Sequence, residues 1–286
     1  MENRNLLTTI RISYNQFTRT GQKIADYVLN NADEVPYMSI SQLADACHVA
    51  DASVNRFCRA LKVQGYQEFK LLISTSIQDS RDSESSRDSK GDLNEDTGIC
   101  GQIMIDYIEA VKETKEVMGM DVVDKTVQMM LNADRIFFAG AGNSMVSALE
   151  AQTRFLHITP KVVCNMDTHM QAMTASMLTP KDMVLIFSYS GASQDTVNVA
   201  EIAKKRGAGV CVITHYKKSE LTQYADTILL CAPKEGPLEG GSMVAKVSQL
   251  YLVEVLFQCY YQADAEQATE NNRLTADSIT SKFKSL

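Results

Sequence analysis

No stretch of the 286-residue sequence approaches the roughly 18 to 20 uncharged apolar residues needed to cross a bilayer. The opening, MENRNLLTTIRISYN, lacks the long apolar stretch of a secretory signal. A cytoplasmic protein with no membrane partner is therefore expected. Close cysteine pairs are missing too. The seven cysteines (Cys47, Cys58, Cys100, Cys164, Cys211, Cys231, Cys259) are scattered and odd in number, which argues against zinc and redox motifs and reads as small buried hydrophobes in a reducing compartment. The four histidines (His48, His157, His169, His215) form no helical pair or cluster that would hold zinc. No metal and no cofactor are expected.

An overall basic excess is also lacking, since the net charge is −7. Nonspecific affinity for nucleic acid comes from neutralising phosphates, so the total charge speaks against it. The distribution reverses that reading. Residues 1–78 hold eight Lys/Arg against seven Asp/Glu, and the remainder holds 20 against 28. The acid is concentrated away from the N-terminal part.

What is present falls into two modest domains, each with enough apolar residues for its own core. Residues 79–98 contain one leucine, no aromatic and many serines and mixed charges, too little apolar surface to offset the entropy of ordering. A flexible linker at 79–99 thus separates an N-terminal domain (1–78) from a C-terminal one (100–286). In the first, a helix is expected near Phe17–Asn31. A short helix capped by Ser39 then runs to about Cys47, a second, capped by Asp51, spans Ala52 to about Val63, and a further helix runs from about Gln67 to Ile77.

The C-terminal domain opens with amphipathic helices at about Gln102–Met118 and Val122–Leu131. Apolar runs of strand length follow at Arg135–Ala139, Lys161–Cys164, Met183–Phe187, Val210–Thr214 and Thr227–Cys231, most of them separated by helical patterns. That alternation implies a five-stranded parallel sheet covered on both faces, an α/β three-layer sandwich of the doubly wound kind. A long helix from Ser242 to about Tyr261 and one more in the polar tail complete it.

Two short helices joined by a tight turn are the geometry that sets the second helix in the DNA major groove. The all-α N-terminal bundle therefore reads as a helix-turn-helix, with a double-stranded DNA operator as partner. Ser53 and Asn55 can hydrogen-bond bases or phosphates, Arg56 and Arg59 can pair with guanine or phosphate, and Lys62 extends the positive face. From Ala52 to Gln64 there is no acidic residue. An ordinary helical bundle with solvated arginines has the same spacing. The run Met38–Lys70 also resembles the N-terminal domain of the RpiR family of bacterial regulators, through Val54-Asn55-Arg56-Phe57 and Gly65-Tyr66-Gln67-Glu68-Phe69-Lys70 over about 35 residues. It departs at Lys62-Val63-Gln64, where that family usually carries Leu-Gly-Phe.

After the first strand, Gly140-Ala141-Gly142-Asn143-Ser144 opens a helix. Glycines let backbone N–H groups approach an anion, the helix N-terminus adds a positive dipole, and a serine hydroxyl can donate. A dinucleotide site could begin the same way, with Asp167 as its acid, but Met145 replaces the third glycine of that fingerprint. After the third strand comes Ser188-Tyr189-Ser190-Gly191-Ala192-Ser193-Gln194-Asp195-Thr196. Three serines and a glycine where a buried strand meets a helix surround one point with donors, which suits a phosphate monoester. Ser193 and Thr196 could equally serve only as a helix cap.

The serine pattern resembles the phosphate loop of the sugar isomerase (SIS) domain, and the similarity extends over about residues 120–262. It implies a phosphorylated sugar as effector, held by Ser188, Ser190, Gly191 and Ser193, with Gly142, Asn143 and Ser144 contributing from the first loop. Related domains close over the sugar with a glutamate and the start of the last long helix, which points to Glu239 and Ser242. Many family regulators carry Ser-Arg in that helix, whereas this chain has Ser242-Met243-Val244-Ala245-Lys246, and Lys246 is the weaker candidate. The RpiR family joins the two domains in this order, and because isolated SIS domains usually pair, the resemblance, with the long apolar helices at Gln102–Met118 and Ser242–Tyr261, implies a homodimer or homotetramer. The resemblance implies a regulator of carbohydrate or amino-sugar genes with no catalytic residue. The alternatives are a phosphosugar isomerase or lyase using Glu239 and His169, and a pure dimerisation scaffold.

Overall fold

In the computed structural model, which describes residues 6–85, 98–232 and 243–280, contacts separate a helical unit ending at Gln102 from an α/β unit beginning at Ile103. The helical unit contains α1 (Leu6–Ser13), α2 (Arg19–Asn30), α3 (Ile40–Ala46), α4 (Asp51–Ala60) and α5 (Tyr66–Ser85). Its core gathers Ile10, Ile24, Val28, Leu43, Val54, Phe57, Phe69 and Ile73. Ser39 and Gln42 form a capping box at the start of α3, as the Ser39 assignment anticipates.

Several local expectations are corrected. Asp51 is not a cap. Ala50 holds that position without a side-chain bond, and the Asp51 carboxylate instead accepts from the Ser41 hydroxyl at 2.6 Å, tying α4 to α3. α4 stops at Ala60 rather than near Val63 because Lys62 turns left-handed, at φ +62°. Lys62 N–H then donates to Arg59 O and Val63 N–H to Cys58 O, the paired bonds of a Schellman ending. α3 ends the same way through His48, at φ +55°. α5 continues to Ser85, past the expected end at Ile77 and into the segment read as linker. No glycine or proline lies between Gly65 and Gly91 to stop its propagation. α1 was not foreseen. It is short, but it buries Leu6 and Ile10, and Leu6 N–H donates to Ser76 Oγ on α5.

In the α/β unit, most of α6 (Gly98–Val117) and then α7 (Met120–Asn132) precede β1 (Ile136–Gly140), α8 (Asn143–Leu156), β2 (Val162–Cys164), α9 (Thr168–Ser176), β3 (Met183–Phe187), α10 (Gln194–Lys205), β4 (Gly209–Thr214) and β5 (Thr227–Leu230). α11 (Met243–Ala263) and α12 (Ala265–Thr280) follow. The five strands form one parallel sheet in the order β2-β1-β3-β4-β5. Alternate strand residues feed two cores. Ile136, Phe138, Leu185 and Ile213 pack with α7, α8 and α11. Phe137, Val184, Ile186 and Val212 pack with α9 and α10. Burial on both faces explains why the strands read as unbroken apolar runs.

Below the sheet, Asp182, almost fully buried, gathers bonds from Arg135 Nε (3.0 Å) and Nη2 (2.7 Å) and from the amide and hydroxyl of Thr179. The Arg135 guanidinium, then Thr179, outweigh burial and hold this carboxylate down at about 2. α11 spends its apolar face inside the chain, burying Leu252, Val253, Leu256, Phe257 and Tyr260, so its composition needs no partner molecule to explain it. The cysteines depart from expectation at one position: Cys47, Cys58, Cys211 and Cys231 are buried and Cys164 and Cys259 intermediate, but Cys100 is exposed. Among the described residues no His/Cys/Asp/Glu cluster suits a metal, and no helix is long and apolar enough to cross a membrane.

Candidate functional site

In the helical unit, the resemblance motif is mostly core. Val54, Phe57, Tyr66 and Phe69 are buried, with Phe17, Phe57, Phe69 and Tyr66 in successive ring contacts. Lys70 is buried with them, its ammonium 5.7 Å from the Tyr66 ring centroid, and burial pushes its pKa down to about 8. What remains outward on α4 is Asn55, half-buried, with Arg56 and Arg59, both exposed. Their spacing keeps them on one side of the helix.

Ser53 is buried and accepts from Arg56 Nη2 at 2.9 Å, so it orients Arg56 rather than standing outward. Lys62 is exposed but has left the helix, one residue beyond the C-cap Leu61. Its left-handed conformation also shifts the family correspondence by one. A glycine belongs where φ is positive, so Leu61-Lys62-Val63 is the segment that departs from Leu-Gly-Phe. A cleft of about 400 Å³ lies between the start of α2 and α4, lined in part by Thr18, Gly21, Ser53 and Arg56.

In the α/β unit, the order β2-β1-β3-β4-β5 reverses between β1 and β3, and a doubly wound sheet binds ligands beyond the carboxyl ends of the strands at such a switch point. Both predicted loops leave from there. Gly140 ends β1 directly beside Phe187, which ends β3. The first loop needs its glycines. A Cβ on Gly140 would meet Ser144 O at 2.8 Å, and Gly142, at φ +55°, caps α8 with no side chain over its first N–H groups. Asn143 is exposed and Ser144 half-buried at that helix start. Buried Gln171 on α9 grips the loop from below, donating to Gly140 O at 2.8 Å and accepting from Gly140 N–H at 3.3 Å. This residue escaped sequence reasoning, because a lone glutamine in a helix carries no signal of its partner.

The serine loop is built as tightly. Ser188 is buried, with the Thr196 hydroxyl 3.4 Å from its own and 2.9 Å from Ser193 O. Ser193 is the N-cap of α10 by position, but its side chain makes no capping bond, so capping does not account for its hydroxyl. Ser190 Oγ accepts from Ala192 N–H at 3.3 Å. Gly191, at φ +60°, is irreplaceable sterically, since a Cβ there would fall 2.2 Å from Ser219 Oγ. The end of β4 and the segment after it brace this loop: Leu221 N–H donates to Gly191 O, while His215 N–H and the Thr214 hydroxyl donate to Tyr189 O. The Tyr189 ring stacks on His215 at 5.2 Å.

Two helix N-termini and several hydroxyls therefore face one end of the sheet; the two motifs hold no imidazole or ammonium, and their one carboxylate is Asp195, in the first turn of α10. Such an arrangement suits an anion, held by fixed dipoles. Asp167 caps α9 through Met170 N–H, and His169 is exposed on that helix. Glu239 and Ser242 lie outside the described residues. Lys246 is half-buried on α11, near Met243.

The model of the helix-turn-helix domain of the rpiR family matches residues 4–80, and that of the SIS domain matches residues 129–258. An uncharacterized HTH-type transcriptional regulator of Caldanaerobacter subterraneus subsp. tengcongensis is 31% identical over 88% of this chain and 89% of its own. The HTH-type transcriptional regulator RpiR of Escherichia coli K12 is 24% identical over 93% of this chain and 89% of its own. Among solved structures, the Vibrio vulnificus NanR protein complexed with ManNAc-6P superposes with a TM-score of 0.87 at 27% identity, covering 96% of this chain and 98% of its own.

Proposed function

Because the chain belongs to the rpiR family of helix-turn-helix transcriptional regulators that carry a SIS domain, we propose that it is a cytoplasmic, homo-oligomeric regulator whose DNA affinity responds to a phosphorylated sugar. The observation that carries this reading is the convergence of the two loops at the switch point, where the α8 and α10 starts lack side-chain caps. Ser188, Ser190, Ser193 and the Gly191 amide would hold the phosphate, and Gly142, Asn143 and Ser144 the adjoining part of the ligand. The ManNAc-6P complex of the similar NanR supports an amino-sugar phosphate, and hence control of carbohydrate or amino-sugar genes. Asn55, Arg56 and Arg59 would meet the operator, with Lys62 reaching a phosphate from the end of α4.

A ligand that binds only the folded state raises its melting temperature by mass action. A thermal-shift screen should find an upward shift with one hexosamine or hexose phosphate, none with the corresponding free sugar, and loss of the shift in Ser188→Ala. Absence of any shift across phosphorylated sugars would refute the effector assignment.

A further inference from the structure

Seen along its axis, α4 has a buried side, an outermost line and two flanks. Ser53, Val54, Phe57 and Cys58 are buried, and Ala52 and Arg59 lie opposite them. Arg56 is set about 60° round from Arg59, on the flank that also carries Ser53 and Ala60. Ser53 holds it there. Its hydroxyl accepts from Arg56 Nη2 at 2.9 Å and draws the guanidinium back along α4 toward the first turn. That flank faces the start of α2 across the cleft of about 400 Å³, whose lining includes Thr18, Thr20, Gly21, Arg56 and Ala60 and no acidic residue.

The described bond of Arg56 thus goes to a neutral hydroxyl, and the first turn of α2 across the cleft holds no acid either. The guanidinium is placed, charged and uncompensated, with most of its N–H donors left for an anion. Thr20 adds an exposed hydroxyl from the other wall. The shape of DNA identifies the anion. A major groove about 12 Å wide is filled by a helix about 10–12 Å across. Side chains on the outermost line of such a helix meet base edges, and those on a flank meet the sugar-phosphate wall.

We infer that Arg56 holds a phosphodiester of the DNA backbone in the cleft between α4 and the start of α2, with the Thr20 hydroxyl as second donor and Ser53 as the residue that positions the guanidinium. Arg56 then sets the register of α4 in the groove instead of reading a base. This rests on the proposed entry of α4 into the major groove.

Fluorescence anisotropy of labelled mixed-sequence duplexes, titrated with the full chain over a range of salt, tests the contact. Arg56→Ala should lower the slope of log K against log salt by about 0.9 for each bound copy of the chain and weaken every duplex by the same factor. Ser53→Ala keeps the charge but frees it, so affinity should fall about 2- to 10-fold, the span of one hydrogen bond, with the slope kept; Ser53→Thr should restore it. Equal melting temperatures of variants and unaltered chain exclude unfolding as the cause. An unchanged slope in Arg56→Ala, a loss confined to particular sequences, or unchanged affinity in Ser53→Ala overturns the inference. So does displacement of the duplex by inorganic phosphate, beyond its ionic strength, from the unaltered chain but not from Arg56→Ala, which makes the cleft a free-anion site. If the unaltered chain binds no duplex, the regulator reading fails with it; if binding persists and only the Arg56→Ala slope is unmoved, the contact fails alone.

Discussion

At the scale of single residues, the helix-turn-helix is closed by two side chains in a conformation that glycine adopts without strain. His48 ends α3 and Lys62 ends α4, both left-handed, while α10 makes the same ending with Gly207 at φ +79°. A non-glycine residue there costs about 1 kcal/mol. Lys62→Gly should therefore raise the stability of the helical unit by up to about 1 kcal/mol, read by denaturant unfolding, while weakening DNA binding through loss of one cation. A variant that is both more stable and a poorer binder would identify Lys62 as retained for contact with the operator.

Lys70 makes the opposite trade, hidden rather than presented. Its folded pKa of about 8 lies below the ordinary 10.5, so between these values the unfolded chain binds more protons and stability rises with pH, by about 1 kcal/mol from pH 8 to 9. Burial pushes Cys47 up to about 11 and Cys58 up to about 12. Those thiols favour folding below pH 9 and lose that contribution as pH climbs through their folded values. Unfolding measured against pH should accordingly rise to a maximum near 9 and then fall. In Lys70→Met the rise should vanish and the fall persist.

At the scale of elements, legibility follows how local the cause is. β3 was read to the residue, since an apolar run flanked by Lys181-Asp182 and Ser188 leaves no other boundary. The cap at Ser39 was legible because it depends on Gln42 three positions away. α1 was not, since eight residues are too few to be stable alone and gain their order from α5, 70 positions away in sequence. Likewise both loops at the switch point announce themselves through glycine and serine, while their supports, Gln171, Ser219 and Thr214, come from other elements. Gln171→Leu should expose that dependence. It removes the side chain that bonds both the Gly140 amide and its carbonyl, a cost of about 1–3 kcal/mol. By calorimetry the phosphosugar should bind at least about tenfold more weakly, with Ser188 and Ser193 untouched.

At the scale of the whole molecule, the unequal spread of charge was readable from composition, and the two units follow it. The end of α5 was not, because the polar residues after Ile77 extend a helix already nucleated by its packed first half. Charge predicts how the assembled protein behaves. With an acidic α/β unit, DNA affinity must come from few cations, and each phosphate contact adds about 0.9 to the slope of log K against log salt. Arg59→Ala should lower that slope by about one and weaken all DNA sequences alike if the residue holds a phosphate. A loss confined to the operator would assign it to a base.

The distribution of thiols carries a practical consequence. Burial holds Cys47, Cys58, Cys164 and Cys211 well above the range in which a thiolate forms at neutral pH, and thiolate is the species that alkylates. Cys100, exposed near the start of α6, is left as the thiol that a maleimide dye reaches first. One equivalent of reagent on the native chain should install a single fluorophore beside the point where the helical unit gives way to the α/β unit, without an engineered cysteine. Its emission or anisotropy would then report, in real time and on unmutated protein, whether adding a sugar phosphate changes the surroundings of that junction.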